Sequence, residues 1–370
     1  MSSDLNQALG GAAARPGPAG ASGGARALVV GLDAGGTRTR AVLADAADGR
    51  TLGEGAAGPG NALTVPLPRL IEHLAQAVAR AVPESARGAV AAVAGGFAGA
   101  TGAEEDDPGR RTALTALTAA LRRLGIATER LTVGSDIEAA FASAPGAPAD
   151  GLALVAGTGA VAMRIADRRC AFTVDGDGWL LGDDGSGFWI GREAVRAALR
   201  MADGRGGGTV LARAVGQALG LPARVLPGSG SVSRRGADDD GSSACSGADE
   251  PSNGDWTRAA REAYRAHLLP VVMAEAPTRL ARLAPLVAEA ARERDALAQE
   301  ILDRAAEHLA DAVRALAPRP GERLVATGGL LGPDGPLTVP LTTRLTALGL
   351  TLDRVTDGCA GAVSLARLSL

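Results

Sequence analysis

The chain predicts an α/β fold of two domains facing a cleft, and three observations predict it. Residues 28–43 (LVVGLDAGGTRTRAVL) and 152–165 (LALVAGTGAVAMRI) repeat one pattern, an apolar β-branched run, a Gly/Thr turn and a second strand-like run. Strand and helix signals alternate in both halves, as layered α/β domains require. A length of 370 residues is also long for one core.

The first half reads as strands over 27–33 and 38–44, with Asp48-Gly49 turning the chain into a third strand over 51–57. This is an antiparallel meander, unlike a dinucleotide-binding unit, whose glycine turn opens a helix. A helical period over 66–82, a buried strand over 88–94 and a helix over 109–124 follow. A strand over 130–134 ends at Ser135-Asp136, and 137–142 is helical. The second half opens with strands at 152–156 and 160–166, a Gly/Asp-rich loop at 175–187 and a helix over 188–201. Residues 203–255 are low in complexity and poor in large apolar side chains, which predicts a surface insertion. Amphipathic helical stretches cover 256–269 and 278–316. A strand over 323–326 ends in Thr327-Gly328-Gly329, and a helix over 358–368 returns to the first domain. The division is therefore a disordered tail over 1–26, one domain over 27–147 joined by 355–370, and a second over 148–354 carrying the 203–255 insertion.

Composition narrows the chemistry. A net charge of −3 with 21% charged residues argues against a nucleic-acid partner. No apolar run reaches the ~18 residues of a membrane span, and the N-terminus lacks a secretory pattern, so a cytoplasmic location is expected. Cys170, Cys245 and Cys359 lack metal-ligand spacing. All 38 basic residues are arginine, which excludes a Walker A lysine and a kinase-type strand lysine. Nucleotide chemistry here must rest on backbone amides, hydroxyls, arginines and a metal.

Several residues fit that requirement. Gly35, Gly36 and Thr37 form one turn and Gly157, Thr158 and Gly159 the other; glycine lets phosphate oxygens approach the backbone amides. Two such turns facing each other would clamp a nucleoside triphosphate. Asp33, ending a strand beside the first turn, suits Mg²⁺ held through water, or it simply caps a hairpin. Asp136 sits at the carboxyl end of a strand, where ligand-facing residues collect. It is either a base for an attacking sugar hydroxyl or, with Ser135, a helix cap. Asp183, on the acidic loop with Trp179, and Asn61, in GPGNAL, are candidate sugar contacts; a capping loop and a turn residue are the plainer readings. Thr327, Gly328 and Gly329 offer a flat surface to adenine or ribose, or form an ordinary strand-to-helix turn.

The motifs DAGGTRTR at 33–40, GSDIEAA at 134–140, AGTG at 156–159, GWLLGDDGSGFWIGREA at 178–194 and ATGGLL at 326–331 resemble those of the N-acetylglucosamine kinases. More broadly they resemble the BadF/BadG/BcrA/BcrD ATPase family, which joins those kinases to the ATPase activators of benzoyl-CoA reductase and 2-hydroxyacyl-CoA dehydratase. The likeness spans most of 27–368. It implies two ribonuclease H-like (actin-like ATPase) domains around a nucleotide. Asp33–Thr37 and Gly157–Gly159 match the two phosphate motifs, Asp136 the catalytic aspartate, Asn61 and Asp183 the sugar contacts, and Thr327–Gly329 the adenosine region. The implied function is ATP- and Mg²⁺-dependent phosphorylation of the 6-hydroxyl of N-acetylglucosamine or a related amino sugar; a homodimer is expected by analogy. The alternatives are an ATP-driven activator acting on a protein partner and a non-catalytic sugar sensor. The family's GGWG stretch reads GDGW here.

Overall fold

The computed structural model describes residues 27–100, 106–228 and 256–370. The expected tail over 1–26 and residues 229–255 of the expected insertion lie outside them. One five-stranded sheet contains β1 (Leu28–Ala34), β2 (Thr39–Asp45), β3 (Thr51–Ala57), β4 (Val90–Phe97) and β5 (Arg130–Ser135), in the order β3-β2-β1-β4-β5. The other contains β6 (Gly151–Ala156), β7 (Ala160–Ala166), β8 (Arg169–Asp175), β9 (Arg323–Thr327) and β10 (Thr351–Arg354), in the order β8-β7-β6-β9-β10. Adding five to each strand of the first sheet reproduces the second. In both, an antiparallel meander runs into parallel strands. The repeat seen in two short motifs is thus a duplication of the whole sheet.

Strands covered on both faces read as unbroken apolar runs. Accordingly, Val29, Val30, Leu32 and Ala34 of β1 are fully buried. On the outer face, α1 (Leu67–Ala81) points Leu70, Leu74, Ala77, Val78 and Ala81 at the sheet, the one-sided stripe of a packed helix. α2 (Pro108–Arg123) starts at Asp107, whose side chain accepts from the Arg110 amide. The second core gathers α4 (Gly187–Ala202), α5 (Leu211–Ala218), α6 (Arg258–Ala274), α7 (Ala284–Arg292), α8 (Ala296–Ala315) and α9 (Thr338–Ala347).

Between the sheets lie α3 (Asp136–Ala142) and α10 (Cys359–Leu368), and they are exchanged. α3 leaves the first sheet, and its Phe141, with Ala144 just beyond its end, packs on Ala153, Met163, Ile165 and Val325 of the second. α10 leaves the second sheet, and Val363 and Ala366 pack on Val29, Ala44, Ala92 and Ala94 of the first. The two helices also pack on each other. Gly361 makes that approach feasible, since a Cβ there would lie 1.9 Å from the Ala139 carbonyl oxygen.

Two expectations need correction, and three elements were not expected. The low-complexity stretch does not begin at 203: α5 forms, and Leu211, Val215, Leu219, Leu221 and Val225 are buried in the second core. The helical stretch 278–316 is cut where Asp295 accepts from the Ala298 amide and starts a new helix. Finally, the edge strands β8 and β10 and the helix α9 carried no clear sequence signal. Among the described residues no helix is long and apolar enough to cross a membrane.

Candidate functional site

The first turn is built from three loops. The Gly35 amide donates to the Arg38 carbonyl (2.9 Å), closing the hairpin after β1. The Gly60 amide donates to Gly35 (2.9 Å), the Ala98 amide to Ala34 (2.9 Å) and the Ala62 amide to Ala98 (2.8 Å). The segments after β3 and β4 are therefore stitched onto the turn, which leaves Gly36 and Thr37 exposed. Asn61 rides on this stitched loop. Its Oδ1 accepts the Leu63 and Thr64 amides (2.9 and 3.0 Å), so the carboxamide oxygen is taken by a local turn.

Asp33 and Asp136 meet beside that turn. Ser135 takes the cap of α3: its Oγ accepts the Glu138 amide (3.0 Å), while Glu138 Oε2 accepts the Ser135 amide (3.0 Å). This reciprocal box frees Asp136 from capping. Gly96, at the end of β4, makes room, since a Cβ there would lie 3.1 Å from Asp136 Cα. Asp136 is half-buried, and burial, followed by the charge of Asp33, pushes its carboxyl up to about 6. Burial also raises Asp33, opposed by an amide hydrogen bond from Gly358 and helped by Asp357. Arg40 Nη1 lies 2.8 Å from Asp357 Oδ2 and 3.9 Å from Asp33 Oδ2. Donor atoms of Asp33, Asp357 and Cys359 all lie within 4.8 Å of one another; burial, with the nearby carboxylates, pushes the Cys359 thiol up.

The second turn is built in the same manner. The Gly157 amide donates to Gly159 (2.9 Å), and the first amides of α4, from Gly187 and Phe188, donate to Gly157 (2.8 Å) and Thr158 (3.1 Å). The Leu330 amide reaches Ala156 (3.2 Å). Gly328, at φ +108°, lies so close that a Cβ would sit 2.2 Å from the Ala156 oxygen. Asp183, at φ +57°, accepts the Ala160 amide on Oδ1 (3.0 Å), and burial raises its carboxyl.

The candidates therefore fall into two groups. Asp33, Gly35–Thr37, Asn61 and Asp136 gather at the carboxyl end of β1 and its parallel neighbours in the first sheet; Gly157–Gly159, Asp183 and Thr327–Gly329 gather at the matching end of the second. α3 joins them, touching β1, β6 and β9. Glu138 reinforces the join: it is 2% exposed, and its Oε1 accepts the Cys170 amide of β8 (2.9 Å).

Sequence reasoning missed Glu138, Arg40, Asp357 and Asp175. The Ser135-x-x-Glu138 spacing was the available signal for Glu138. Asp357 lies just before α10, where its Oδ1 accepts the Cys359 amide (2.9 Å), a placement that only the folded arrangement reveals. Asp175 ends β8, a strand that the sequence did not announce.

No curated protein matches this chain. Two solved structures with the same fold are those of candidate N-acetylglucosamine kinases. The one from Chromobacterium violaceum has a TM-score of 0.62 and 23% identity, with 92% of this chain and 99% of that one covered. The one from Porphyromonas gingivalis has a TM-score of 0.62 and 18% identity, at the same coverage. The profile of the BadF/BadG/BcrA/BcrD ATPase family matches residues 30–337. The chain belongs to the BadF/BadG/BcrA/BcrD ATPase family.

Proposed function

We propose that this protein is a cytoplasmic, ATP-dependent carbohydrate kinase that phosphorylates the 6-hydroxyl of N-acetylglucosamine or a related amino sugar. One observation carries the reading: Asp136, released from capping by Ser135, is held next to Asp33 with its carboxyl raised to about 6. A raised carboxylate is a stronger base and is still mostly ionised at pH 7 to 8. Asp136 accepts the proton of the attacking hydroxyl and orients its oxygen. In phosphoryl transfer, alignment and charge neutralisation matter more than the base's strength. The amides of Gly36 and Thr37 in the first turn and of Thr158 and Gly159 in the second supply the neutralisation that lysine supplies elsewhere. The Thr327–Gly329 turn takes the adenosine.

The carboxylate pair fits a magnesium ion: both groups offer oxygen, and the Asp33 charge disfavours ionisation of Asp136. Asp33 would hold the ion through water, and the bound ion would neutralise phosphate oxygens. Asn61 and Asp183 would act on the sugar side. Asn61 has its amide nitrogen to offer, whereas Asp183 also braces the second turn.

ADP release measured across a panel of amino sugars tests this reading. The expected result is release that depends on the sugar; equal hydrolysis with every sugar and with none would overturn it. Asp33→Asn is expected to weaken Mg-ATP binding by roughly 10- to 100-fold, the worth of a charge-assisted contact. Because the Asp33 charge helps to raise Asp136, the same variant at saturating Mg-ATP should move the acid limb of the turnover profile to lower pH. An unmoved limb would separate the two carboxylates.

A further inference from the structure

We propose that Asp175 is a positioning residue for the second glycine turn: its carboxylate folds the acidic loop so that Asp183 stays locked on the Ala160 amide. β8 ends at Asp175, paired across from Val161, the residue after Ala160. One carboxylate there gathers three amides from both ends of the loop. Asp175 Oδ1 accepts from Gly176 (2.7 Å) and Asp183 (2.7 Å), and Oδ2 accepts from Asp184 (2.9 Å). Asp183 then accepts from Ala160 (3.0 Å). Carboxylate to amide, and carboxylate to amide again, a continuous relay runs from the end of β8 to the turn.

Two glycines show how closely the relay is packed. A Cβ on Gly182 would lie 2.3 Å from Asp175 Oδ1, and a Cβ on Gly159 would lie 2.7 Å from Asp183 Oδ1. Asp175 and Asp183 are also both in the left-handed region, at φ +61° and +57°. Such conformations persist where surrounding contacts over-determine them. The loop's tip supplies little of that restraint, because Leu180 is 71% and Leu181 81% exposed. The amides held by Asp175 therefore fix a loop that apolar burial does not.

This inference rests on the reading of Gly157–Gly159 as a phosphate turn, so its test includes a measurement needing neither nucleotide nor sugar. In nucleotide-free protein, Asp175→Ala should speed hydrogen exchange at the amides of Ala160, Asp183 and Asp184 at least tenfold. Exchange across α2 should be unchanged. Asp175→Asn, which keeps one acceptor oxygen, should fall between. Gly182→Ala, which crowds the carboxylate without removing it, should resemble Asp175→Ala, and these two variants carry the test if Asp175→Ala does not fold. In steady-state assays the KM for ATP should rise at least tenfold, and the sugar KM should rise with it, because Asp183 is released together with the turn. Unchanged exchange at Ala160, or an unchanged KM for ATP, would overturn the assignment of Asp175. A wild-type protein without sugar phosphorylation would instead overturn the kinase reading, and the exchange data would still decide whether Asp175 holds the turn.

Discussion

Asp136→Asn is expected to lower turnover by about 10²- to 10⁴-fold, the usual contribution of a positioned general base, while Mg-ATP binding stays within a few-fold of wild type. In the wild type, turnover should fall with decreasing pH along a limb centred near 6. Asp33 and Asp136 interact, so the limb belongs to the pair. The same residue makes an opposite prediction for stability. Its folded-state pKa, about 6, lies above the unfolded value of 3.8, so the folded state binds the proton more tightly. Stability from this group is therefore fully present below pH 4 and is lost as pH rises through 6. Asparagine removes the penalty, and Asp136→Asn should be more stable than wild type by about 1–3 kcal/mol at pH 7.5, with little difference at pH 4. Denaturant midpoints at the two pH values measure this. A variant that loses both turnover and stability at pH 7.5 would mean that Asp136 is a structural residue.

The second large effect concerns the exchanged helices. Gly361→Ala places a Cβ 1.9 Å from the Ala139 oxygen and 2.5 Å from the Ser143 nitrogen. It also crowds the hydrogen bond from the Gly361 amide to Ser143 Oγ (2.7 Å). Backbone atoms cannot rotate aside, so α3 and α10 must separate. Overpacking of this kind costs about 1–3 kcal/mol and sometimes more; the upper end is expected here. Turnover should fall as well, because α3 carries Asp136 and spans both sheets. Gly36→Ala, with nothing within 4 Å, should leave stability almost unchanged and serves as the control. Equal midpoints for the two variants would show that the helix crossing tolerates the methyl group.

What the sequence made legible follows from where side chains are buried. β1 and β6 lie at the centre of their sheets, so their apolar runs and glycine turns stood out on local pattern alone. β10, with four residues at an edge, and β8, with Phe172 55% exposed, are held by pairing to a neighbour, and pairing leaves little trace in a single segment. α5 was hidden because glycine runs flank it, although it buries Leu211 and Val215.

The candidate site divides on similar lines. Asp33, Asp136 and the three glycine turns sit at strand ends, a position that can be read from the chain. The capping question at Ser135-Asp136 could not be settled from residue types, since either side chain caps well. Glu138, reaching back to the Ser135 amide, decides it. Asp357 reaches Arg40 of the opposite sheet, and Asp175 acts through a loop that folds back onto it, so their roles need the folded arrangement.

The central claim is that Gly35–Thr37 and Gly157–Gly159 close on one triphosphate with Asp136 at its terminal phosphorus. A crystal structure with a non-hydrolysable Mg-ATP analogue and N-acetylglucosamine tests it most directly. The expected result is both turns donating amides to the phosphate chain, with Asp136 within hydrogen-bond distance of the 6-hydroxyl. An analogue held by one turn alone, or an acceptor hydroxyl out of reach of Asp136, would contradict the account.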